Sequence, residues 1–112
     1  MSGKYDVFRG KDQQYYFHLK AANGEVILSS EGYKEKSGCL NGIISVQKNS
    51  ADDHNYQRLT AKNGAPYFTL KAQNHQVIGC SEMYSTVAAR EKGIESVKKN
   101  GPDSPVTELS AE

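Results

Sequence analysis

The sequence has no long apolar run, no excess of one charge and only two cysteines, and each absence removes a class of function. Its apolar stretches are a few residues long, too short to cross a bilayer, and the start Met1-Ser2-Gly3-Lys4-Tyr5-Asp6 carries no signal-peptide core. No membrane contact is expected, and a cytoplasmic location is. A net charge of +1 sets up no strong field toward nucleic acid or an anionic membrane. Cys39 and Cys80 are not expected to form a disulfide in a reducing compartment. His18, His54 and His75 are scattered among them without the paired spacing of a metal site, so no metal or cofactor is expected. No Gly-rich loop has phosphate-cradling spacing. Cys39 falls on the apolar side of a predicted helix, where a thiol packs as a small hydrophobe, and no nucleophile stands beside a base. Together these absences argue against an enzyme.

What the chain does contain is a second copy of itself. Residues 16–53, moved forward by 51 positions, align with 67–104 without a gap and with 18 of 38 residues identical. Chance would give roughly two to four matches at ordinary residue frequencies. Tyr16-Phe17 meets Tyr67-Phe68, Leu19-Lys20-Ala21 meets Leu70-Lys71-Ala72, and Gly42-Ile43 meets Gly93-Ile94. A unit of this length is too small to fold securely alone. The chain of 112 residues is therefore expected to be one monomeric domain, a fused pseudo-dimer with repeats over 10–58 and 61–109.

Alternating residues predict strands over 4–9, 15–21 and 25–29, with a hairpin turn at Asn23-Gly24 in which both residues adopt positive φ. Apolar spacing then turns helical from 36 to 48, where Cys39, Leu40, Ile43 and Val46 share a side, and Asn49 is placed to end the helix in a left-handed conformation. The second copy predicts strands over 55–60, 66–72 and 76–80 and a helix over 86–99 with Ser85 as N-cap. Val106-Thr107-Glu108-Leu109 alternates as one more strand. The gapless shift and the repeated patterning predict one continuous antiparallel sheet, with both helices on one face and a pseudo-two-fold axis between the copies. Ser30-Glu31 and Ser81-Glu82 lie at the strand-to-helix junctions, where a carboxylate can accept free N–H groups of the following helix.

One surface draws a functional reading. The alternation that sends Phe17, Leu19, Phe68, Leu70, Phe8 and Leu59 inward sends Tyr5, Tyr16, Lys20, Tyr56, Tyr67 and Lys71 outward. Tyrosine is also an ordinary strand residue, so the set has a structural explanation beside the functional one. As a site, flat rings stack and lysines meet an anion, as on single-stranded nucleic-acid platforms. Tyr16, Lys20, Tyr67 and Lys71 are the candidate ligand-binding residues; no catalytic or metal residue is expected.

Leu19-Lys20-Ala21-Ala22-Asn23-Gly24-Glu25-Val26-Ile27-Leu28, Ser30-Glu31-Gly32-Tyr33 and Gly38-Cys39-Leu40-Asn41-Gly42-Ile43 closely resemble the YegP-like family of small bacterial proteins in its duplicated form. Ser81-Glu82, Tyr84 and Gly93-Ile94-Glu95-Ser96-Val97-Lys98-Lys99-Asn100 carry the resemblance in the second copy. The second copy departs from it where His75 replaces Gly24 and Ala89-Arg90-Glu91-Lys92 replaces Gly38-Cys39-Leu40-Asn41. The resemblance implies an α+β fold of β-β-β-α-β units, joined in one sheet by exchange of their C-terminal strands. It implies no activity. The expected function is a non-enzymatic cytoplasmic binding or interaction module with an unknown partner. The alternative is a weak binder of single-stranded nucleic acid or another anionic ligand through the tyrosine–lysine face.

Overall fold

Alternating apolar residues build seven strands around two helices in the computed structural model, which describes residues 3–108. In chain order the elements are β1 (Lys4–Arg9), β2 (Tyr15–Lys20), β3 (Val26–Ser29), α1 (Lys36–Asn49), a 3-10 turn at Asp53–Asn55, β4 (Tyr56–Thr60), β5 (Pro66–Lys71), β6 (Val77–Cys80), α2 (Val87–Asn100) and β7 (Val106–Glu108). The strands form one sheet in the order β4-β5-β6-β3-β2-β1-β7. All neighbours are antiparallel except β7 and β1, which are parallel, so the sheet is mixed rather than wholly antiparallel. The cause is the connection after α2. It brings the chain in beside the start of β1, where the Tyr5 amide donates to Pro105 O at 2.8 Å. Leu109, the last residue of the expected final strand, lies outside the described residues.

Both helices cover the same sheet face. Phe17, Leu19, Phe68 and Leu70 of β2 and β5 are fully buried in one cluster with Cys39, Ile43 and Val46 of α1 and Ile94 and Val97 of α2. Each Phe or Leu buried this way contributes roughly 1.5–3 kcal/mol before ordering costs. Cys39 is a packed core residue, its thiol pushed up to about 11 by burial. Gly42 and Gly93 recur in both copies because tyrosines lie over the helices there. A Cβ on Gly42 would sit 2.6 Å from the Tyr33 hydroxyl and 3.1 Å from Phe17, and one on Gly93 would collide with Tyr84. A register shift in each β2–β3 and β5–β6 pair leaves Ile27 and Ile78 as extra residues, and both join the core.

The duplication becomes geometry at the centre. Ser29 of β3 pairs with Cys80 of β6, its own counterpart under the 51-residue shift, so the pseudo-two-fold axis runs between these strands. Ser50 and Gly101, also counterparts, meet where the two helices end; a Cβ on Gly101 would collide with Ser50 Oγ. Beside the axis, Leu28 occupies the space that a side chain at Gly79 would need. At these two contacts there is room for one side chain, and the copies differ there.

Several local expectations change. Of the Asn23-Gly24 pair only Gly24 has positive φ, at 87°, and the Ala21 amide bonds Glu25 O across a longer loop. That is a type I turn followed by one left-handed residue. Asn49 and Asn100 remain helical. Their buried amides donate back to Ser45 O at 2.7 Å and Ser96 O at 2.8 Å. Thr86, not Ser85, caps α2 by accepting from the Ala89 amide at 3.0 Å. At the junctions neither glutamate accepts from the following helix among the described residues, and the serines tie the junction back to the neighbouring strand instead. Ser30 Oγ accepts from the Phe17 amide and donates to Glu31 O, and Ser81 Oγ does the same with Phe68 and Glu82.

Candidate ligand face

Because both helices pack on one side, the other side of the sheet has no covering layer among the described residues. Cross-strand register decides what it carries. Phe8 pairs with Tyr16 and Leu59 with Tyr67, so Phe8 and Leu59 lie on the open face with these tyrosines. Tyr5 and Tyr56 pair with Leu19 and Leu70 and are buried on the helix side, at 0% and 7% exposure. This reverses the expected sides of all four residues. The reason is a hydrogen bond: Tyr5 donates to Gly101 O and Tyr56 to Ser50 O, each at 2.6 Å. Each hydroxyl satisfies a carbonyl at a helix C-terminus, while its ring meets Phe17 or Phe68 edge-on at 6.0 and 5.7 Å.

Tyr16, Lys20, Tyr67 and Lys71 do lie on the open face. Tyr16 and Lys20 are on β2, Tyr67 and Lys71 on β5, with β3 and β6 between. Three inter-strand steps span about 14 Å, and four residues of strand about 13 Å. The four side chains are therefore corners of a frame and do not form one contact. Through its centre runs a feature that alternation could not show. Thr107, Asp6, His18, Ser29, Cys80, Thr69 and Gln57 are successive cross-strand partners, one polar row across all seven strands. The signal was each strand's parity, but the row exists only once register is fixed.

The two ends of the row are chemically different. At the β1–β2 end, Asp6 is 3% exposed and pairs with Lys20 at 2.8 Å, with Lys4 at 3.7 Å. Tyr16 donates to Asp12 at 2.5 Å, which holds the Asp12 carboxyl below its usual range and raises the tyrosine. Phe8 stacks on Tyr16 at 5.8 Å and meets the His18 ring edge-on at 4.7 Å. Burial first, then Lys20, holds His18 below the ordinary imidazole range. At the β4–β5 end, Gln57, Tyr67 and Lys71 have no side-chain partner among the described residues. Thr69 is 8% exposed and its Oγ1 has no hydrogen-bond partner. Between the ends, Ser29, Ser30, Glu31, Val77, Gly79 and Cys80 line a shallow depression of about 230 Å³. Burial raises the Cys80 thiol above its ordinary range. Among the described residues no group of three metal-ligating side chains assembles.

A mixed seven-stranded sheet, duplicated, with two helices on one face and an open row on the other defines a small α+β repeat protein. Comparison with known families places it further. The model described as "Domain of unknown function (DUF1508)" matches residues 11–57 and again 61–108. The chain belongs to this family. It is 59% identical over 110 residues to a UPF0339 protein of Acinetobacter baylyi, covering 98% of this chain and 99% of that one. It is 49% identical over 108 residues to the UPF0339 protein YegP of Yersinia pestis, covering 96% of each. The solution NMR structure of a UPF0339 protein from Shewanella oneidensis superposes with a TM-score of 0.91 at 53% identity, covering 97% of this chain and 92% of that one. That of yegP from E. coli, a protein of unknown function, superposes with 0.93 at 47% identity, covering 99% and 95%. The resemblance read from the sequence is thus shown. No helix among the described residues is long and apolar enough to cross a membrane.

Proposed function

We propose that the protein is a non-enzymatic binding or interaction module that works as a monomer in the cytoplasm, with the open sheet face as its contact surface. The observation that carries this is the uncovered face itself. Half-buried Phe8, Tyr16, Leu59 and Tyr67 flank a polar row there, a mixture suited to recognition. The repeats are read as residues 10–58 and 61–109, β-β-β-α-β units that exchange their last strands. Support comes from β4, which follows α1 yet pairs with β5, and from β7, which follows α2 yet pairs with β1. The test is capture of partners from cell extract with wild type and with Tyr16→Ala/Tyr67→Ala. A component held by wild type and lost by the variant supports the reading. Components held equally by both would move the interaction off this face.

A second reading is favoured by the tyrosine–lysine frame: weak binding of single-stranded nucleic acid or another anionic ligand. Stacking on a tyrosine is worth ~1–3 kcal/mol per base. Titration with a fluorescent single-stranded oligonucleotide at low salt checks it. Equal affinity for wild type and the double variant, or no binding by either, removes nucleic acid.

A further inference from the structure

The open face is built twice, but its two halves treat their polar groups oppositely. In the first copy every strong donor is already used: Lys20 on Asp6, and the Tyr16 hydroxyl on Asp12. Moving 51 residues forward, both of those carboxylates become amides. Gln57 stands at the Asp6 position and Asn63 at the Asp12 position. Asn63 keeps the turn role, accepting from the Ala65 amide at 3.0 Å as Asp12 accepts from Gln14. It does not engage Tyr67. The second copy thus keeps the lysine and the tyrosine and drops both acids that quench them.

Resting on that reading of the face, we propose that the row-centred part of its β4–β5 half is a phosphate subsite formed by Lys71, Gln57 and Thr69. Gln57 and Thr69 are cross-strand partners, and Lys71 lies two residues from Thr69 on the same face, as Lys20 lies beside Asp6 in the first copy. These groups supply an ammonium, a side-chain amide and a hydroxyl. Thr69 adds an independent sign, a buried hydroxyl oxygen left without a partner, which native proteins seldom tolerate. An ammonium, an amide and a hydroxyl set on two strands suit a phosphate, with its several acceptor oxygens, better than a two-oxygen carboxylate. The first-copy half takes no anion, because Asp6 holds Lys20 at 2.8 Å with Lys4 at 3.7 Å, and Asp12 adds a second carboxylate beside Tyr16.

Amide NMR of the full chain titrated with inorganic phosphate tests this. Saturable shifts are expected at Gln57, Thr69 and Lys71 and not around Lys20. Gln57→Asp, which restores the first copy's acid beside Lys71, should weaken phosphate by about tenfold or more, as loss of a charge-assisted hydrogen bond does. Lys71→Ala is the second variant should that one fold poorly, with the same loss expected. Lys20 lies about 14 Å away across three inter-strand steps, beyond the screening length, so Lys20→Ala should change affinity by less than about twofold. Acetate should produce no saturable shifts. Equal shifts at both halves, no saturation by phosphate, or equal affinity for acetate would each overturn the subsite. Oligonucleotide binding lost in Tyr16→Ala/Tyr67→Ala but undiminished by Gln57→Asp would overturn the subsite and leave the reading of the face intact.

Discussion

Placing an alanine at Gly79 should expose how the pseudo-two-fold axis is packed. Its Cβ would lie 2.6 Å from both Cδ2 and Cγ of Leu28 and 3.0 Å from Cδ1. Carbon atoms in contact prefer about 3.5–4.0 Å, so the overlap is close to 1 Å. Leu28 is 0% exposed and has no solvent to retreat into. Overpacking of this kind costs about 1–3 kcal/mol. Losing a glycine returns about 0.5–1 kcal/mol through the unfolded chain. The net expectation is a destabilisation of ~1–2 kcal/mol, or roughly 4–8 °C in Tm for a domain of this size. Leu28→Ala alone should cost about 2–5 kcal/mol by leaving a cavity. In that background Gly79→Ala should turn neutral or stabilising, because its methyl then fills space. Urea unfolding of the four proteins gives the coupling, expected at about 1–3 kcal/mol in favour of the double variant. The exchanged pair Leu28→Gly/Gly79→Leu should recover most of the stability, since the axis makes the two positions alternatives. Strictly additive effects would refute the claim that these counterparts share one space.

Two turns per copy need a left-handed residue, and each copy supplies glycine at only one: Gly24 and Gly64 against His75 and Gln13, both at φ 70°. Replacing either His75 or Gln13 with glycine should raise stability by about 0.5–1 kcal/mol, read as a higher urea midpoint, because a non-glycine residue there costs ~1–2 kcal/mol. Tyr5→Phe and Tyr56→Phe each strip a buried helix-end carbonyl of its donor and should cost about 1–3 kcal/mol, while phenylalanine at half-buried Tyr16, whose hydroxyl meets the exposed Asp12 carboxylate, should cost far less. Asp53 is held at about 2, below its ordinary 3.8, first by Arg58 and then by Lys98. A depressed carboxyl stabilises the fold above its unfolded value and loses that contribution as pH falls from about 4 to 2. The stability gap between wild type and Asp53→Asn should therefore be full at pH 5 and close toward pH 2, in unfolding curves taken across that range; a constant gap would exclude the ion pairs as its source.

The sequence by itself determined the architecture's units. Period-two patterns marked the strands, helical spacing set Cys39, Ile43 and Val46 inward, and the 51-residue identity required two like units that complete each other. Those signals are local or depend on self-comparison, so one chain carries them. The family was legible for the same reason, as was the presence of Tyr16, Lys20, Tyr67 and Lys71 on one face. Tertiary structure decided what depends on pairs of distant segments. It turned Tyr5 and Tyr56 into the core, because their hydroxyls reach helix ends 96 and 6 residues away in the chain. It set β7 parallel to β1, through a connection whose direction no alternation encodes. Register, which no single strand contains, lined up the polar row from Thr107 to Gln57 and made the acids of the first copy quench what the amides of the second leave free. Close approach at the axis explains why Leu28 faces Gly79 and Ser50 faces Gly101: at these two contacts a side chain on the second copy would overlap the one on the first.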